Sequence, residues 1–293
     1  MHCDNAVIFL TLVLDYKFIN MIKRILKTSL LLSIFVMASA CAQTKKTVEA
    51  VKEIPGVEEL KLPRVDLKSM KKNKDGAYIL FDGSSLTGWR GYNKEHVPSK
   101  WSIDNGTLKF SKNPKVDNPE GGDLVFAHDF KNFELSFDWK ISEKGNSGVF
   151  FLAKEIKGQP IYISSPEFQI LDNDGHPDAK MGVDGNRKSA SLYDMIPAKP
   201  QNGKKAGEWN TSKIIVKGNQ VQHFQNGVMV VEYTIRTPEW TTLLQASKFS
   251  EAKWPMAFHL LNNVGGATKS GLIGFQDHGD DVWYRNITVK VLK

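Results

Sequence analysis

The chain has 293 residues, 41% of them hydrophobic, with two cysteines and a formal net charge of +7, enough apolar material for one large core or two modest ones. The positive excess does not point to nucleic acid, because residues 1–40 carry four Lys/Arg against two Asp/Glu and residues 41–74 carry nine against five, leaving 26 basic and 25 acidic side chains in the remainder. So even a balance creates no field that attracts a polyanion.

Residues 1–20 include an apolar stretch, Ile8 to Leu14, but a better leader starts at Met21, so 1–20 reads as an upstream mis-start. Lys23, Arg24 and Lys27 precede an apolar run from Leu30 to Met37, and Ala38-Ser39-Ala40-Cys41 closes it. That order predicts a secretory leader over 21–40. Small residues ending at a cysteine resemble a bacterial lipobox, which implies a lipid on Cys41 and a chain anchored to a membrane of the bacterial cell envelope, in the periplasm. The other cysteine, Cys3, falls in the discarded segment, so the mature domain holds no intrachain disulfide. After the leader no apolar run approaches the ~20 residues of a membrane span. Residues 41–74, rich in Lys, Glu and Pro, read as a flexible tether.

From 75 to 293 short alternating runs are punctuated by turns, which predicts one β domain. Trp101-Ser-Ile103, Asp104-Asn105-Gly106 and Thr107 to Phe110 make a hairpin. Phe133, Leu135, Phe137 and Trp139 alternate with Glu134, Ser136, Asp138 and Lys140, one face core and one polar, whereas Gly148 to Leu152 is apolar throughout and fits a central strand. Lys213 to Lys217, Val221 to Gln225 and Val228 to Tyr233 form a meander, its second turn at Asn226-Gly227. Thr237 as N-cap and Pro238 at the first helical position start a helix carrying Trp240, Leu243, Leu244 and Phe249. Gly271 to Gln276 and Val282 to Leu292 close the chain as strands. About a dozen strands without a βαβ rhythm predict an all-β jelly-roll sandwich of two antiparallel sheets with one short helix.

The polar residues least expected on such strands surround Pro166-Glu167-Phe168-Gln169-Ile170-Leu171-Asp172. Glu167 and Gln169 share a strand face with Leu171, while Phe168 and Ile170 point into a core. Asp172 follows at the strand end, placed to lean toward the same cleft. The alternative is that Glu167 and Gln169 simply face water. No phosphate loop, Cys/His zinc spacing, nucleophile elbow or helical histidine pair is present. Asp172, Asp174, His176 and Asp178 place ligand atoms at alternate positions, as calcium loops do, without the glycine and terminal glutamate of an EF-hand; they read as an unliganded turn, with a divalent cation as the alternative.

Leu80-Phe-Asp-Gly83 with Gly88-Trp89, Asn146-Ser-Gly-Val149, Glu167-Phe-Gln-Ile-Leu-Asp-Asn173, Ser191-Leu-Tyr193, Gly207-Glu-Trp-Asn210, Asn226-Gly227, and Gly274-Phe-Gln-Asp-His-Gly279 with Tyr284-Arg-Asn-Ile287 occur in that order. The ordered set resembles the bacterial 3-keto-disaccharide hydrolases. The resemblance implies a concanavalin- or laminin-G-like jelly roll, an envelope location, and cleavage of glycosides whose C3 hydroxyl is already a ketone, with a sugar 3-dehydrogenase as functional partner. Many members carry an arginine after the Asn-Ser-Gly strand; Leu152 stands there and the next cation is Lys154.

A C3 ketone acidifies the C2 proton, so a base removes it, a donor stabilises the enolate, the C1 substituent leaves and water adds back. The candidate catalytic residues are Glu167, His278 and Asp172, with Glu167 and His278 both open as the base. Asn146, Gln169, Tyr193, Trp209, Gln276 and Arg285 are candidates for binding the carbohydrate substrate. Two rivals compete. Glu167, Gln169 and Asp172 stand at i, i+2 and i+5, as in jelly-roll β-glucanases, but a retaining glycosidase needs two carboxylates about 5 Å apart and the middle residue is an amide. A non-catalytic carbohydrate-binding module would use Trp209 or Tyr193 as platforms and has no use for a buried acid and imidazole.

Overall fold

The computed structural model describes residues 56–293. Thirteen strands are found among them: β1 (Tyr78–Phe81), β2 (Trp89–Gly91), β3 (Trp101–Asp104), β4 (Thr107–Phe110), β5 (Leu124–Phe130), β6 (Phe133–Ile141), β7 (Asn146–Ala153), β8 (Glu167–Leu171), β9 (Asn210–Lys217), β10 (Gln220–Gln225), β11 (Val228–Thr234), β12 (Gly271–Phe275) and β13 (Val282–Val291). They form two antiparallel sheets, an eight-stranded one in the order β11-β10-β9-β6-β13-β4-β3 with β1 also on β13, and a five-stranded one in the order β2-β5-β12-β7-β8. This is the predicted sandwich.

Turn chemistry sets the hairpins as expected. Asn105 and Asn226 adopt φ of 49° each, and the following Gly106 and Gly227 lie at 75° and 82°, the left-handed pair a tight hairpin needs. Phe133, Leu135, Phe137, Trp139 and Ile141 of β6 fill the space between the sheets at 1% exposure or less. Phe137 meets Phe168 of β8 edge to face at 5.6 Å across that space, and Phe275 of β12 meets Tyr284 of β13 at 4.3 Å. Emptying one such aromatic position costs about 3–5 kcal/mol.

Two expectations change. Thr237 caps α1 (Pro238–Ala246), its Oγ1 accepting the Trp240 N–H at 3.2 Å, but the helix stops before Phe249. A second helix follows, α2 (Pro255–Asn262), which has proline in its first turn and no side-chain cap; without a capping residue its start carries little signal in the sequence. The tether also ends earlier than residue 74. The Leu60 N–H donates to the Glu155 carbonyl at 2.8 Å and the Val65 N–H to the Ala127 carbonyl at 2.6 Å. Arg64 binds Asp129 and Glu155 at 2.8 and 3.0 Å, and Leu67 is buried in the main core. Charge pairing and one anchored leucine fix a segment whose composition alone reads as solvated. The leader, Cys41 and the first part of the tether lie outside the described residues. Among the described residues no helix is long and apolar enough to cross a membrane.

Candidate active site

The site forms on the outer face of the five-stranded sheet because of the period-two alternation of β7 and β8. Phe168 and Ile170 enter the core between the sheets, which turns Glu167, Gln169 and Leu171 outward. The register pairs Asn146 with Leu171, Gly148 with Gln169 and Phe150 with Glu167, so these six residues share that face. Glu167 and Gln169 do not face water: they are 7% and 1% exposed. The free edge of β8 is covered by residues 190–193, where the Gln169 N–H donates to the Ser191 carbonyl at 3.1 Å and the Tyr193 N–H to the Glu167 carbonyl at 3.1 Å.

Gly148 makes room for the acid. A Cβ on Gly148 would collide with the Glu167 carboxyl, so the carboxyl lies over the bare backbone of β7. With its amide nitrogen turned to Glu167 Oε1 (3.3 Å) and the Ser147 carbonyl (3.0 Å), Gln169 ties the acid to the sheet. In the opposite orientation of that amide Gln169 Nε2 instead donates to Asn146 Oδ1 at 3.4 Å, and Asn146 Nδ2 lies 3.4 Å from His278 Nε2. A continuous polar row, Glu167, Gln169, Asn146 and His278, therefore runs across one face. Gln276 borders it: its N–H donates to the Gly148 carbonyl at 2.9 Å, and its buried Oε1 has no partner among the described residues.

The surroundings push the two titratable ends apart. Burial drives Glu167 up to about 8, helped by Asp123 and Asp178 and opposed by the Lys248 cation. Burial, then the neighbouring His176, hold His278 below the ordinary histidine value of 6.5, against the pull of Asp280 and Asp178. At neutral pH the acid keeps its proton and the imidazole lacks one. Asp123, half-buried beside Asp277, is itself raised to about 7, mainly by burial.

Several groups here carry no local sequence signal. Lys248, in the turn after α1, sets its Nζ over the rings of Tyr193 (4.4 Å), Phe249 (5.0 Å) and Tyr162 (5.7 Å). Asp194 accepts its backbone N–H at 2.8 Å. Arg187 bridges Asp178 at 2.9 Å and Asp194 at 2.6 Å, and the Tyr193 hydroxyl donates to Asp178 at 3.0 Å. Only the Gly121-Gly122 pair before Asp123 hints at a close approach in the sequence.

Other candidates move out of the site. Asp172 is turned to its own loop: its oxygens accept the Lys144 N–H at 2.7 Å and the Asp174 N–H at 3.2 Å, so it anchors the turn. Tyr193 offers its ring, since its hydroxyl proton is spent on Asp178. Trp209 and Arg285 lie on the far side of the sandwich. Tyr284 points inward, its hydroxyl 2.9 Å from Ser147 Oγ, which turns Trp283 and Arg285 to the outer face of the eight-stranded sheet. There Arg285 stacks on Trp209 at 4.0 Å and binds Asp138 at 3.1 Å.

The proposed calcium-like loop does not fit an ion. Asp172 is committed to the turn and Asp178 to Arg187 and Tyr193. His176, His278 and Asp280 do bring one ligand atom each within 4.8 Å of one another. Yet His176 Nδ1 accepts the Asp178 N–H at 3.1 Å, which leaves the ring proton on Nε2, and Asp280 already takes Lys112 and the Asn146 N–H, each at 3.2 Å. A metal needs the bare nitrogen of a neutral ring, and this hydrogen bonding holds a proton there instead.

Comparison with known proteins agrees with the architecture. Residues 76–290 match the family described as the 3-keto-alpha-glucoside-1,2-lyase-like domain. A 3-keto-disaccharide hydrolase of Bacteroides thetaiotaomicron is 53% identical over 271 residues, covering 86% of this chain and 93% of that protein. The crystal structure of a provisional glycosyl hydrolase from Parabacteroides distasonis is 26% identical with a TM-score of 0.62, over 80% of this chain and 100% of that one. A second from the same organism, 24% identical with a TM-score of 0.50 over 74% and 84% of the two chains, shares the fold.

Proposed function

The chain belongs to the 3-keto-alpha-glucoside-1,2-lyase-like family, and from that premise we propose that it hydrolyses 3-keto-disaccharides by elimination and rehydration, with His278 as the base and Glu167 as a proton-bearing donor. The observation that carries this reading is the polar row on one sheet face, with a neutral imidazole at one end and a protonated carboxyl at the other. Neutral His278 takes the C2 proton and the electron pair moves onto the C3 oxygen, giving an enediolate. Glu167 donates a hydrogen bond to that oxygen where the negative charge grows. The C1–O bond then breaks as the leaving sugar takes up a proton. Water adds at C1, C2 regains a proton, and the net reaction is hydrolysis. Gln276, Asn146 and Gln169 orient the ring hydroxyls.

Burial supports a protonated Glu167, because it outweighs the pull of the Lys248 cation on the carboxyl. A retaining glycosidase is disfavoured, because Asp172, its second carboxylate, is held by the turn.

We also propose that a lipid on Cys41 holds the enzyme in the cell envelope and that a sugar 3-dehydrogenase supplies the keto substrate. Palmitate labelling lost in Cys41→Ala supports the anchor; labelling retained removes it. The activity is tested with a disaccharide and its 3-keto form in deuterated water. The keto form alone should be cleaved, with deuterium at C2 of the product. His278→Ala should lose about a hundredfold or more in both cleavage and exchange. Cleavage of the unmodified sugar without exchange overturns the reading.

A further inference from the structure

Lys248 does not behave as a surface lysine. It is half-buried, its Nζ stands over three aromatic rings, and among the described residues no carboxylate lies within ion-pairing distance of it. Glu167 is the acid that acts most strongly on it, and the other two are already occupied: Asp194 accepts from Arg187 at 2.6 Å and from the Lys248 backbone at 2.8 Å, and Asp178 accepts from Arg187 and Tyr193. Burial holds the Lys248 ammonium below the ordinary lysine value, opposed by the Glu167 and Asp194 carboxyls, while the ring faces favour the charged form and leave its N–H groups free. The Tyr193 ring under it belongs to the residue whose N–H donates to the Glu167 carbonyl at 3.1 Å, and the ammonium charge acts on the Glu167 carboxyl.

The end of β7 supplies no cation to that face: Leu152 is buried in the main core, and Lys154 turns away to Glu59 at 3.2 Å and Thr268 at 3.3 Å. Among the described residues, the positive charge acting on Glu167 therefore comes from the turn after α1, more than eighty residues further along the chain.

We propose that Lys248 is a catalytic residue, its ammonium donating to the C3 oxygen of the keto-sugar as the enediolate forms. This rests on the elimination reading above. Glu167 and Lys248 then form a two-donor cradle for one oxygen, and Tyr193 with the Arg187–Asp194 pair positions the lysine. The ammonium keeps its protons throughout and forms no bond to carbon.

The test uses a 3-keto-sugar with hydrogen in place of the C1 leaving group, whose C2 proton exchanges with deuterated water whenever the enediolate forms. The wild-type protein should catalyse that exchange. Lys248→Met should slow it by about 10²–10³-fold, with KM for the disaccharide within about threefold if ground-state binding is unchanged. Lys248→Arg, which keeps the charge, should recover part of the loss. Borohydride added during turnover should leave the mass of the protein unchanged. Exchange by wild type that persists within threefold in Lys248→Met overturns the role of Lys248 alone. Cleavage by wild type without any C2 exchange overturns the elimination reading itself. A reduced adduct on Lys248 overturns the hydrogen-bond assignment and shows imine formation.

Discussion

The sharpest prediction concerns the protonation state of Glu167. With the carboxyl at about 8, about ten protonated acids stand for each carboxylate at pH 7, since one pH unit is a factor of ten. As a donor, the acid works only while protonated. kcat/KM for the 3-keto-disaccharide should therefore rise from acid pH through a limb below 6.5, set by His278, and fall again near 8. Glu167→Gln keeps an N–H donor without the acidity. It should retain activity within about ten- to a hundredfold and lose the alkaline limb, whereas Glu167→Ala should cost about 10²–10³-fold, the usual effect of removing one oxyanion donor. Asp123→Asn should keep that limb, which separates Glu167 from the neighbouring acid raised to about 7. Stopped assays across pH 5 to 10 read all four proteins. If kcat/KM instead climbs through pH 8 and Glu167→Gln is inert, the carboxylate is the base and the assignment to His278 is wrong.

Three further outcomes follow from the geometry. Gly148→Ala should push the Glu167 carboxyl off its seat on β7, with kcat/KM falling about tenfold or more for a displacement near 1 Å while the thermal midpoint moves little, because a side-chain end yields rather than the backbone. Trp209→Ala and Arg285→Ala, on the far side of the sandwich, should leave kcat/KM within twofold; a tenfold loss would relocate the site. His223 is buried, donating from Nδ1 to the Ala190 carbonyl at 3.0 Å, and burial lowers it from 6.5 to about 4. The unfolded chain binds that proton below 6.5 and the folded chain does not until about 4, so the contribution is complete above 6.5 and about 3 kcal/mol is lost as pH falls through that window. Urea melts at pH 7.5 and 4.5 should show a smaller loss in His223→Gln; parallel losses refute it.

Local chemistry made most of the fold legible. The Asn-Gly turns, the β6 alternation and the Thr237-Pro238 cap act over a few residues, and each determined its element from the sequence alone. The same alternation placed Glu167 and Gln169 on one strand face. It said nothing about what would cover that face, and they proved buried at 7% and 1% exposure, on a strand whose edge is paired by the segment at 190–193. Trp209 and Arg285 belong to the same motif set as Glu167, yet Tyr284 packing inward sends Arg285 to the other layer. Asp172 reads as an acid at a cleft until the Lys144 and Asp174 N–H groups claim its oxygens. Lys248 and Asp123 act on the Glu167 carboxyl from distant turns. Strand identity and register face follow from short-range sterics, whereas the meeting of charges across sheets depends on contacts between residues far apart in the chain, which only the packed sandwich brings together.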